Sequence, residues 1–100
     1  MRIEIRSCGL TLTKKQTFRL KLDLDIVFAR FGERIDRVIV VVSDSPQSGL
    51  TSCEIEVRIK PKLVTVVYSD RDVFVAVEHA AKRAARSVRR AIDIEALARG

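Results

Sequence analysis

The sequence predicts a small α+β domain, and a few observations carry that reading. Alternating or β-branched apolar runs at 1–6, 36–43, 53–59 and 63–68 have the signature of strands. The segment after Ser69 instead repeats apolar residues at helical spacing. The strands between 36 and 68 follow one another through short connections, which implies an antiparallel meander. One hundred residues suffice for one domain with a single core.

In the first strand Ile3 and Ile5 alternate with Arg2, Glu4 and Arg6, so one face is buried. Residues 36–43 form a β-branched run, Val38 to Val42 at its centre, suited to the middle of a sheet. Asp44-Ser45-Pro46-Gln47-Ser48-Gly49 is dense in turn formers and reads as a hairpin loop. Cys53, Ile55, Val57 and Ile59 then alternate with Glu54, Glu56, Arg58 and Lys60, the pattern of a half-buried strand. Lys60-Pro61-Lys62 punctuates, because proline cannot donate to a ladder, and Leu63 to Tyr68 makes a further strand.

Ser69 with Asp72 three residues on resembles a capping box, which places a helix N-cap at Ser69. Phe74, Val77, Ala81, Ala84, Ala85, Val88 and Ile92 follow within one arc of about 120° on a helical winding. Residues 13–31 fit two periods. Thr13 and Gln16 suit a capping box, Phe31-Gly32 suits a helix end, and Leu20, Leu24, Val27 and Phe31 share a helical stripe. Yet Phe18, Leu20, Leu22, Leu24 and Ile26 also alternate strictly with Arg19, Lys21, Asp23 and Asp25, as a strand would. Residues 1–92 make up the domain, and 93–100 either prolong the last helix or fray as a tail.

The chain carries a net charge of +6, which favours a polyanionic partner: nucleic acid or an anionic membrane surface. Its placement discriminates. Lys82, Arg83, Arg86, Arg89 and Arg90 cluster opposite the apolar stripe of the last helix, with only Glu78 opposing them between Asp72 and Asp93. Arginines along a line can bind phosphate oxygens bidentately, so these five residues are the candidate RNA-binding site. The apolar face of that helix is alanine-rich and short of Trp and Leu, which argues against a membrane.

No stretch approaches the roughly 20 apolar residues of a membrane span, and the first residues lack a signal-peptide core, so a cytoplasmic protein is expected. Cys8 and Cys53 have no metal-ligand spacing and read as reduced structural thiols. No Ser/His/Asp or Cys/His constellation and no glycine-rich phosphate loop can be assembled. The sequence therefore predicts no catalytic residue, no metal, no cofactor and no small-molecule substrate. His79, the only histidine, reads as a surface residue, Asp70 and Asp72 as capping groups, and Tyr68 and Phe74 as core.

Asp72-Val73-Phe74-Val75-Ala76-Val77-Glu78 resembles the entry to the second helix of the ribosome hibernation promoting factor and ribosome-associated inhibitor family, also called sigma factor modulation proteins. Arg83, Arg86, Val88, Arg89 and Arg90 are similar to that family's alternating basic and aliphatic pattern, and Phe31 with Glu33-Arg34-Ile35 to its exit from the first helix. The likeness spans nearly the whole chain and fits a short family form, without the additional C-terminal domain of long members. It implies a β-α-β-β-β-α fold, a four-stranded sheet with two helices packed on one face. It also implies a non-catalytic, stress-related factor that binds rRNA of the small ribosomal subunit and blocks translation by occlusion. Arg83, Arg86, Arg89 and Arg90 would be its RNA contacts. One departure is Asp23, where the family's first helix usually carries Lys.

If 13–31 is helical, Phe18, Leu22 and Ile26 form a second apolar stripe away from the sheet, which marks a homodimer or another protein partner. Two further expectations thus stand beside ribosome binding: a protein-interaction module of the same fold that no longer binds ribosomes, and a generic double-stranded RNA binder.

Overall fold

In the computed structural model, which describes residues 1–99, the chain runs β1 (Arg2–Cys8), α1 (Lys14–Phe28), a 3₁₀ segment (Ala29–Arg34), β2 (Arg37–Ser45), β3 (Leu50–Ile59), β4 (Lys62–Asp70) and α2 (Val73–Arg99). The strands form one sheet in the order β1-β2-β3-β4, with β1 parallel to β2 and the other pairs antiparallel. The α+β class and the β-α-β-β-β-α order expected from the sequence are those observed. Parallel pairing of β1 with β2 requires a crossover, and α1 supplies it.

The pleat sorts the side chains. Val38, Val40 and Val42 of β2 and Cys53, Ile55, Val57 and Ile59 of β3 point into the core, together with Val66 of β4. Both helices lie on that side: α2 packs on β3 and β4, while α1 packs on β1 and against α2. Leu20, Leu24 and Phe28 enter the core from α1, and Ala76, Val77, Ala80, Ala81, Ala84, Ala85 and Val88 from α2. The alanines matter because their small side chains let a long helix approach the sheet closely while favouring the helix itself. Among the described residues no layer covers the other face of the sheet, where Leu63 and Val67 are exposed.

Thr13 resolves the segment with two periods. Its hydroxyl accepts from the Gln16 N–H at 3.1 Å, and the Gln16 side chain accepts from the Thr13 N–H at 2.9 Å, a complete capping box that starts α1. The α-helix ends at Phe28 rather than at Phe31-Gly32. A 3₁₀ segment carries the chain on to Arg34 and turns it at Gly32, whose φ of 57° is the left-handed region open to glycine.

Two further boundaries differ from the sequence reading. The loop expected at 44–49 shrinks to a turn at 46–49, because Asp44 and Ser45 stay in the ladder opposite Thr51 and Leu50. The N-cap of α2 is Asp72, not Ser69. Ser69 remains in β4 opposite Ser52, and the Asp72 carboxylate accepts from the N–H groups of Phe74 at 2.8 Å and Val75 at 3.4 Å. At its other end α2 continues to Arg99, with most of 93–99 exposed; Gly100 lies outside the described residues.

Candidate nucleic-acid interface

Burial of the alanine stripe fixes the rotation of α2 and thereby aims its charges. Lys82, Arg83, Arg86, Arg89 and Arg90 are all exposed, with Arg86 opposite the buried stripe and Arg83 at the flank of the face that adjoins β4. The structure therefore brings together the five residues singled out in the sequence. They are not equivalent. The Lys82 ammonium donates to the Glu78 carboxylate at 3.1 Å, an exposed i,i+4 pair of small energetic weight. The Arg83 guanidinium lies 5.7 Å from the centroid of the Tyr68 ring, on the β4 side of the helix. Tyr68 in turn stacks on His79, their ring centroids 4.9 Å apart. Arg86, Arg89 and Arg90 form no ion pair among the described residues.

The 3₁₀ segment adds two arginines that sequence periodicity did not bring forward. Arg30 and Arg34 line a shallow hollow with Phe31, Arg89, Ile92 and Asp93, three arginines to one acid, so the basic surface extends from α2 across the exit of α1. Arg30 also sits 4.9 Å from the centroid of the Phe31 ring. The signal available in the sequence was their spacing of four residues on either side of Phe31, beside a helix end.

Between the helices runs a groove in which Arg19, Asp23 and Val27 of α1 face Phe74, Glu78 and Lys82 of α2. The Arg19 guanidinium covers the Phe74 ring at 4.3 Å, which ties the two helices together at one end of the groove. Asp23 and Glu78 make the groove itself mixed in sign, so an anionic backbone is better received on the outer face of α2 and at the Arg30, Arg34 and Arg89 end.

The likeness to known proteins is carried by structure, since no protein-family model and no curated protein matches the sequence. The N-terminal domain of Protein Y from Thermus thermophilus superposes with a TM-score of 0.76 at 24% identity, covering 90% of this chain and 98% of that one. A ribosomal subunit interface protein from Coxiella burnetii superposes with a TM-score of 0.81 at 10% identity, covering 93% of this chain and 99% of that one. The chain has the Protein Y fold. The resemblance read from the sequence thus holds for the architecture, and the Protein Y fold places the two candidate surfaces on one helical layer. Beside the basic face of α2, α1 displays Phe18, Leu22 and Ile26 with exposures of 64%, 49% and 76%. Among the described residues there is no group of three or more His, Cys, Asp and Glu side chains arranged to hold a metal, and no helix long and apolar enough to cross a membrane.

Proposed function

We propose that this chain is a non-catalytic, ribosome-associated factor of the hibernation promoting type, which binds rRNA of the small subunit and blocks translation by occupying its substrate channel. The observation that carries the reading is the unpaired row Arg86, Arg89 and Arg90 on the exposed side of α2, in a fold shared with a protein named for the ribosomal subunit interface. Arg83, Lys82, Arg30 and Arg34 extend that row. Affinity comes mainly from neutralising phosphates and releasing their counterions, so with about five engaged cations log affinity falls against log salt with a slope on the order of −4.

The test is sedimentation of the protein with purified ribosomes and separated subunits through sucrose gradients. Co-migration with the small subunit at low salt, lost at high salt, is the expected result. Charge reversal at Arg86 and Arg90 removes co-migration, whereas reversal at Arg6, already paired with Glu4 at 2.9 Å, and at Arg71 leaves most of it. Equal losses at both pairs of sites reduce the interaction to diffuse attraction, and equal competition by arbitrary duplex RNA selects a generic double-stranded RNA binder.

The exposed stripe of α1 supports a second reading, a protein-interaction surface used for a homodimer or another protein. Three large apolar side chains on the solvent side of a helix stay about half or more exposed in the monomer. A single monomeric species across a concentration series in sedimentation velocity removes the homodimer.

A further inference from the structure

The open face of the sheet carries an arrangement that strand pairing does not call for. Arg2 of β1 pairs with Arg37 of β2, and Arg37 pairs with Arg58 of β3, so three arginines stand in one cross-strand row. All three belong to the outward set: Ile3, Val38 and Val57, their chain neighbours, point to the helices. Adjacent strands lie about 4.8 Å apart, so the three stems rise within about 10 Å of one another. Like charges directly opposite each other destabilise a sheet.

Nothing nearby cancels the repulsion. None of the three forms an ion pair among the described residues. The closest acids along the strands, Glu4 and Glu56, stand one row further on, either side of Ile39. Glu4 is engaged by Arg6 at 2.9 Å, and Glu56 forms no ion pair. Asp36 contributes backbone groups at this end, accepting from the Arg2 N–H and donating to the Arg58 carbonyl, rather than its carboxylate. In the other outward rows the one arginine, Arg6 beside Val41, stands in the row of Glu54 and Val67 and is paired with Glu4 at 2.9 Å, so uncompensated positive charge gathers at one end of the face.

We infer that Arg2, Arg37 and Arg58 form a second phosphate-binding surface, which takes the backbone of a nucleic-acid strand on the side of the molecule opposite to α2. Phosphates set among three planar guanidiniums accept bidentate hydrogen bonds and turn the mutual repulsion into shared attraction. Leu63, half-exposed at the β4 end of the row, and the absence of an aromatic on this face fit a contact with backbone rather than with stacked bases. The protein then holds two strands, or two parts of one folded RNA, on opposite faces.

The test removes the α2 face first. A variant with Arg83, Arg86, Arg89 and Arg90 changed to Gln is titrated with a short fluorescent oligouridylate over a range of salt, its fold checked by circular dichroism. The expected residual binding has a log–log salt slope in which the three arginines of this row count about −0.7 each for a single strand, beside what Lys82, Arg30 and Arg34 still contribute. Adding Arg37→Gln and Arg58→Gln lowers the magnitude of that slope by about 1.4, two cations at about 0.7 each, and weakens binding accordingly. Residual binding that is absent, or unaltered by the two added changes, overturns the inference. Failure of the α2 reading shows separately, as a four-Gln variant that binds as tightly as the parent.

Discussion

Cys53 faces the core of the sheet between Val42 and Tyr68, with no exposed surface. Burial in apolar surroundings disfavours the thiolate and pushes its pKa from 9.0 up to about 12. The unfolded chain therefore releases this proton before the folded one does. Where the unfolded state holds fewer protons, stability falls as pH rises. Cys53 thus leaves stability untouched below pH 9 and removes up to about 1.4 kcal/mol per pH unit between 9.0 and about 12. Thermal melts of the protein and of Cys53→Ala across that range check this: the parent Tm declines more steeply with pH, and the difference vanishes below pH 9. Parallel slopes overturn it. Cys8 takes no part, because it is exposed on the outward side of β1, with β2 between it and β3. That separation also keeps the two thiols from forming a disulfide.

At the scale of the element, α1 depends on its first turn more than on its periodicity. Thr13→Ala removes the hydroxyl that accepts the Gln16 N–H and leaves only the reciprocal bond, from the backbone N–H of residue 13 to the Gln16 side chain. The expected loss is about 1 kcal/mol, read as a fall in Tm of about 4–8 °C for a domain of this size. Thr13→Ser keeps the acceptor and most of the stability, and equal losses in the two variants show that the methyl group rather than the cap carries the effect. The same segment shows what the sequence could reveal. The strands were legible because each buries one face of its pleat, as Val38, Val40 and Val42 do. In α1, Leu20 and Leu24 lie on the buried side, while Phe18, Leu22 and Ile26 lie opposite; two i,i+4 stripes offset by two residues imitate the alternation of a strand. Only the capping box breaks the tie, and it is a hydrogen-bond pattern rather than a period. Ser69 looks like a cap in the sequence for a related reason: strand pairing with Ser52 outlasts the apolar run, and the cap passes to Asp72. In the candidate site, the α2 row was legible because one helix displays it. Arg30 and Arg34 join it only through the 3₁₀ turn, and the Arg2, Arg37 and Arg58 row only through strand register.

The whole molecule carries +6, and that single quantity sets opposite signs for the two uses of its helical layer. RNA binding replaces condensed counterions on the nucleic acid with arginines, so added salt weakens it. Pairing of two copies through Phe18, Leu22 and Ile26 instead brings two +6 bodies together, with the basic faces of α2 beside the contact. Coulombic repulsion opposes that association, and salt screens it over a Debye length of about 10 Å at 0.1 M. Apolar contact itself is not weakened by screening, so self-association through the stripe strengthens as salt rises. Sedimentation velocity at low and high salt, with and without a short oligouridylate, reads both signs in one series. The expected pattern is an RNA complex dominant at low salt and, where the stripe acts between copies, a dimer that grows at high salt and disappears in Ile26→Glu. A dimer that instead dissolves on adding salt is held by charge, and the apolar stripe is not its interface. A monomer at every salt concentration leaves the stripe to a partner other than this chain.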